Sequence, residues 1–150
     1  MKTYAPTTPN DEIQNERQPK PIFFYDGYTP PYTPPQNVFN IVWTIVYVFL
    51  FMTFMFCLRD KECSSQPSLV TFFFQLAFNI IWFPLLYLLR LPILALIVLI
   101  FHIALLMTML FFWTPPLNYL NIPFLFWSFF LLYLNTMIVL HHQRRSVVIA

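Results

Sequence analysis

The sequence predicts an all-α integral membrane protein, a bundle of four transmembrane helices behind a proline-rich N-terminal tail. Three observations predict it. Of 150 residues, 59% are apolar and only 9% charged, where a soluble domain carries about 25% charge. The 19 Phe, 8 Tyr and 4 Trp present more apolar surface than a chain of this length has polar groups to cover. Beyond residue 36 the chain is almost continuously apolar, interrupted only where charge or proline ends a run. The formal charge of +2 is small and its Lys and Arg are dispersed, which excludes nucleic acid as a partner.

Residues 1–36 hold most of the prolines, four of the six acids and the only glycine, Gly27. Proline rings fix φ and disfavour helix in the preceding residue, so this stretch is predicted to be a largely disordered tail. Order is expected to begin after Pro21, where Ile22, Phe23, Phe24, Tyr25, Tyr28 and Tyr32 can lie at a membrane interface. A tail of this kind is no signal peptide, and the N-terminus is expected to stay unprocessed. The spans follow at about residues 37–58, 68–89, 92–113 and 122–140. At 1.5 Å per residue each covers roughly 28–33 Å, the thickness of a hydrocarbon core. Arg59, Asp60, Lys61 and Glu62 end the first span in water, Arg90 and Pro92 make a tight turn, and Pro115, Pro116 and Pro123 bracket a short loop. Residues 141–150 form a short basic tail whose His141, His142, Arg144 and Arg145 can attract anionic lipid.

Four spans place both termini on one side. That side carries Lys2, Arg17, Lys20, Arg90, Arg144 and Arg145, against Arg59 and Lys61 on the other, so the positive-inside rule predicts cytoplasmic termini. Cys57 and Cys63 lie six residues apart, with no second pair and no His nearby, and are read as two unpaired thiols.

No acid and no Lys lies within a span, which leaves a proton relay or ion path nothing to work with. The spans instead carry Trp, Tyr and amides at helical spacing: Asn40, Trp43 and Tyr47; Gln75, Asn79 and Trp82; Trp127, Leu131 and Asn135. Each trio lies on one helix face. Amides turned toward lipid would go unsatisfied, so these faces are predicted to turn inward. Two readings stand there: interhelical hydrogen bonding, worth about 0.6–2 kcal/mol per residue, or an aromatic-walled cavity for a flat apolar ligand. Counting residues from the span ends sets Trp43 and Trp82 at similar depth in the half of the bilayer nearer the termini, with Trp127 deeper. His102, mid-membrane on the third span, is expected to be neutral and hydrogen-bonded to a neighbouring helix rather than a haem-type ligand.

PYTPPQNVFNIVWTIVY, QLAFNIIWFPLLY and IPFLFWSFFLLYLN, in that order, resemble the translocator protein family, also called TspO, tryptophan-rich sensory proteins or peripheral-type benzodiazepine receptors. The matching residues are Pro34, Pro35, Val38, Phe39, Trp43 and Tyr47 in the first block. Gln75, Leu76, Ala77, Asn79, Trp82 and Pro84 match in the second, and Pro123, Leu125, Trp127, Phe130, Leu134 and Asn135 in the third. Family members have five spans, and the one before the Pro-Pro pair is missing here. Tyr32 and Asn37 stand where the family has tryptophan, Leu131 where it has a small Ala, and Thr136 where its proposed cholesterol motif has Tyr. A loose cholesterol pattern falls instead at Leu86, Tyr87 and Arg90.

The resemblance implies a receptor that binds a porphyrin, another tetrapyrrole or a sterol such as cholesterol between its helices. Its ligand-binding residues would be Trp43, Tyr47, Asn79, Trp82, Trp127 and Leu131, with Tyr32 in a lid. It also implies a homodimer or hetero-complex and a mitochondrial outer or other intracellular membrane. No acid, base, nucleophile or metal cluster points to an enzyme, and no cofactor is expected beyond a tetrapyrrole as the bound ligand. The alternative is a ligand-free scaffold or adaptor that keeps the fold and acts through protein partners of its proline-rich tail.

Overall fold

The computed structural model describes residues 25, 27–61, 63, 66–113, 115 and 117–149, with side chains at all of these except 66 and 145–149. The expected disorder before Pro21, and the aromatics at 22–24, lie outside the described residues. The helices are α1 (Gln36–Arg59), α2 (Gln66–Tyr87), α3 (Pro92–Phe112), the short α4 (Leu117–Leu120) and α5 (Ile122–Ile149). The four long ones are each apolar and long enough to cross a membrane. α4 falls in the stretch read as a plain loop between prolines, and α5 continues past the expected end at Leu140, carrying the basic residues outward on helix.

α3 is the hub. It packs along α2 on one side and along α5 on the other, whereas α1 meets the bundle chiefly through α4. The stripe Ala95, Leu99, His102, Ile103, Leu106 and Met109 is buried, a spacing that keeps one face of a helix inward. Two clusters of buried side chains result. The one nearer the termini includes Phe39, Trp82, Leu86, Leu99, Leu131 and Leu134. The far one includes Val46, Cys57, Phe72, Leu106, Trp113 and Phe124. The outward faces stay apolar, with Phe111, Phe112 and Phe126 all more than 70% exposed, as surfaces facing hydrocarbon must be.

The helix ends have local causes. α1 stops where Asp60 turns extended, its N–H still reaching the Phe56 and Cys57 carbonyls. Asp60 Oδ1 then accepts from Cys63 N–H at 3.0 Å. That turn folds the chain back over the helix end and brings the two cysteines to a Cα separation of 5.0 Å, within disulfide range. Cys57 and Cys63 are bonded to each other, which corrects the reading of two unpaired thiols.

Pro84 inside α2 removes one N–H from the ladder, so the Ile80 carbonyl loses its helical donor. The helix closes with Leu88 and Leu89 N–H on the Pro84 carbonyl and Leu91 N–H on Leu85. Arg90 takes the left-handed conformation in this turn, φ +53°, where a glycine would sit without penalty and another residue costs about 1–2 kcal/mol. Pro92 then begins α3 at its first turn, where its missing N–H has no helical partner to lose.

The residues just before α1 pack on protein. Tyr25 and Tyr28 exchange backbone hydrogen bonds at 2.9 and 2.8 Å across a turn with Gly27 at φ +82°. Tyr28 stacks on His141 with ring centroids 4.1 Å apart, and Tyr25 meets His142 edge-on at 6.3 Å. The tip of α5 therefore stands beyond the start of α1, level with residues that precede it in the chain.

Candidate functional site

α1 and α2 are consecutive and antiparallel, yet they diverge, and a cavity of about 660 Å³ opens between them in the half nearer the termini. On α1 its wall is Phe39, Asn40, Trp43, Thr44 and Tyr47, one face of a helix by spacing. On α2 it is Asn79, Ile80, Trp82, Phe83 and Pro84. Asn40, Thr44, Tyr47, Ile80 and Phe83 are all exposed, so the cavity opens sideways, toward the surrounding lipid. A second, apolar hollow of about 260 Å³ shares Tyr47 and continues along the seam past Leu50, Phe54, Phe72 and Leu76. From Phe39 to Phe54 the seam runs roughly 22 Å at 1.5 Å per residue.

Polar atoms are few and confined to the upper cavity. Tyr47 donates its hydroxyl to Asn79 Oδ1 at 3.4 Å, a long bond that spans the cleft. Thr44 returns its hydroxyl to the Asn40 carbonyl at 2.9 Å. Trp43 stacks on Tyr47 at 5.3 Å with planes 27° apart, making a flat aromatic surface on one side. Trp82 is 1% exposed. In the amide orientation that satisfies both neighbours, Asn135 Oδ1 accepts from Trp82 Nε1–H and from Leu96 N–H, each at 3.2 Å. The indole thus borders the cavity with its polar edge tied to α5.

Of the residues singled out by sequence, Trp43, Tyr47, Asn79 and Trp82 meet at this cavity; Trp127, Leu131 and Tyr32 do not line it. Trp127 stands behind the wall, 5.3 Å from Phe39 and 6.4 Å from Trp43 by ring centroids. It is level with them rather than deeper: five residues from the Ile122 start of α5, it lies beside Phe39 and Trp43 near the start of α1. Leu131 is 1% exposed within the core, so its bulk packs helices together. Tyr32 is 87% exposed and covers nothing. Leu86 of the loose cholesterol pattern is fully buried and offers no surface to a sterol. Asn40, named with Trp43 and Tyr47 as one helix face, lines the cavity too; Phe39, Thr44, Ile80, Phe83 and Pro84 do so without having been site candidates, though Thr44 was legible as the same helix face.

A separate polar centre lies within the sealed part of the bundle. His102 is fully buried, with Nδ1 3.1 Å from the Gln75 carbonyl and Nε2 3.2 Å from Ser128 Oγ. A carbonyl can only accept, so Nδ1 carries the proton. Nε2 then takes a share of the Ser128 hydroxyl proton, which also reaches the Phe124 carbonyl at 2.8 Å. Both ring nitrogens are engaged by neighbouring helices, as expected of a neutral structural histidine. The Gln75 amide is equally buried, and its Oε1 and Nε2 have no partner among the described residues.

Residues 15–140 match the profile of the TspO/MBR family. No curated protein sequence matches the chain significantly.

Proposed function

The chain belongs to the TspO/MBR family, and from that premise we propose that it is a membrane-embedded receptor for a planar apolar ligand, a tetrapyrrole or sterol, held between α1 and α2. The observation that carries this reading is the convergence of Trp43, Tyr47, Asn79 and Trp82 on a cavity of about 660 Å³, a size typical of small-molecule sites. The Trp43–Tyr47 surface stacks on the flat face of the ligand. Asn79 and Tyr47 take its polar substituents, and the apolar hollow below accepts what projects along the seam. Entry is from the bilayer, through the exposed side of the cleft. Binding, rather than catalysis, is the activity proposed.

The termini face the cytoplasm in this reading. The charge asymmetry supports it, and so does the Cys57–Cys63 disulfide, which belongs in an oxidising compartment and lies at the opposite end of the bundle. The membrane is then one whose far side is oxidising, and the family resemblance favours an intracellular one. Assembly as a homodimer or hetero-complex is part of this reading on the family resemblance alone.

The test is a titration of the purified, detergent-solubilised protein with protoporphyrin IX, followed by tryptophan quenching. Saturable quenching weakened about tenfold in Asn79→Ala is expected, with helicity unchanged. No binding by a folded sample would overturn the receptor and leave the scaffold reading, whose partners would be sought for the proline-rich tail.

A further inference from the structure

A third cavity, of about 340 Å³, lies at the end of the bundle beside the chain termini and shares no lining residue with the α1–α2 cleft. Its rim is Arg90 and His142, and its floor is the apolar stripe Ile93, Leu94 and Ile97 on the first turns of α3. We propose that this is a site for one anionic phospholipid, the Arg90 guanidinium taking the headgroup phosphate and an acyl chain lying along Ile93, Leu94 and Ile97.

Charge complementarity argues for that occupant. Arg90 is exposed, and its side chain makes no ion pair or hydrogen bond to any described residue. Arg144 extends the basic character on the next turn of α5 from His141. The one carboxylate among the described residues, Asp60, sits at the opposite end of the bundle. The stripe below is about half-exposed, Ile93 at 50%, Leu94 at 43% and Ile97 at 44%. A basic group above an apolar groove matches an amphiphile that is anionic at one end, whereas a free anion would leave the groove unused. The proposed orientation turns this end to the cytoplasmic leaflet, where anionic lipids are concentrated.

The turn itself marks the side chain. Arg90 holds a left-handed conformation that glycine adopts freely, so the guanidinium stands here in spite of the backbone preference. Its carbonyl accepts from Tyr25 Oη–H at 3.3 Å, which ties the turn to the residues just before α1 and holds the rim in place.

Arg90→Gly separates binding from folding, because it relieves the backbone while removing the charge. The full chain in mild detergent is titrated with palmitoyl-oleoyl phosphatidylserine or phosphatidylcholine, and retained lipid is counted by native mass spectrometry. Wild type should hold one phosphatidylserine with about fivefold preference, the factor that one basic residue supplies at an anionic surface. Arg90→Gly and Arg90→Gln should both reduce the preference to near one, and Arg90→Gly should melt no lower than wild type. Preference retained in either variant, or absent from wild type, overturns the proposal. Millimolar inorganic phosphate should leave the lipid in place; complete displacement would make the site one for free anions and overturn the lipid assignment. Protoporphyrin binding should be the same in all three proteins.

Discussion

The seam between α1 and α2 and the seam among α2, α3 and α5 are built from the same kinds of residue and do opposite things. Both carry tryptophan, an amide and a hydroxyl in mid-bilayer. In the sealed seam most of these groups bond across helices, Trp82 and Leu96 to Asn135 and His102 to the Gln75 carbonyl and Ser128, while the Gln75 amide has no partner among the described residues. In the open seam a 3.4 Å contact from Tyr47 to Asn79 spans the gap, and the side chains around it border a cavity. Bonding across helices closes one interface; divergence around a long contact leaves the other free for a ligand. Trp82 belongs to both, with its ring on the cavity and its N–H in the seal.

Trp82→Ala should therefore give the largest effect, loss of protoporphyrin binding by well over tenfold together with destabilisation of about 3–5 kcal/mol, the usual result of truncating a buried tryptophan. Paired thermal melting and quenching measurements test both halves. Next comes His102→Leu, which removes both interhelical bonds of the imidazole, to the Gln75 carbonyl and to the Ser128 hydroxyl, and should cost about 1–3 kcal/mol with ligand affinity unchanged. If affinity falls as far as in Trp82→Ala, the two seams do not act separately. Trp43→Ala should show the converse, about tenfold weaker binding with stability reduced by roughly 1 kcal/mol from lost ring contacts. A stability loss matching that of His102→Leu would mean that the cavity wall is structural. The smallest effect is expected from Tyr47→Phe, about 0.6 kcal/mol of stability, an average interhelical hydrogen bond in a membrane, and two- to threefold in affinity. Unchanged affinity there would assign the polar anchoring to Asn79 alone.

Much of the candidate site was legible because helical spacing is local. Asn40, Trp43 and Tyr47 fall on one face whatever surrounds them, and Gln75, Asn79 and Trp82 do likewise. Spacing could not say which neighbour each face meets. Gln75 lies on the same predicted face as Asn79, yet its amide is buried away from the cavity. Leu131 was placed by resemblance at a pocket wall and is core; Tyr32 was placed in a lid and faces outward. Trp127 was misjudged in depth because counting along α5 assumes that helix ends mark the membrane, whereas its ring lies beside Phe39 and Trp43 near the start of α1. The disulfide was missed because six residues of separation says nothing about geometry until the Asp60 turn is known.

Sequence alone settled that the chain crosses a membrane four times as helix. Transfer of a side chain into hydrocarbon is a property of that residue, nearly additive along a run, and the backbone has no other satisfied form in lipid. The arrangement of those helices was decided by packing in three dimensions. In lipid every outward face is already solvated by hydrocarbon, so the choice among neighbours rests on close fit and a few interhelical hydrogen bonds. Those terms depend on atoms brought together from distant parts of the chain: His102 with Ser128, Trp82 with Asn135, Arg90 with Tyr25. The divergence of α1 from α2, and with it the cavity, follows from these contacts and from no single segment.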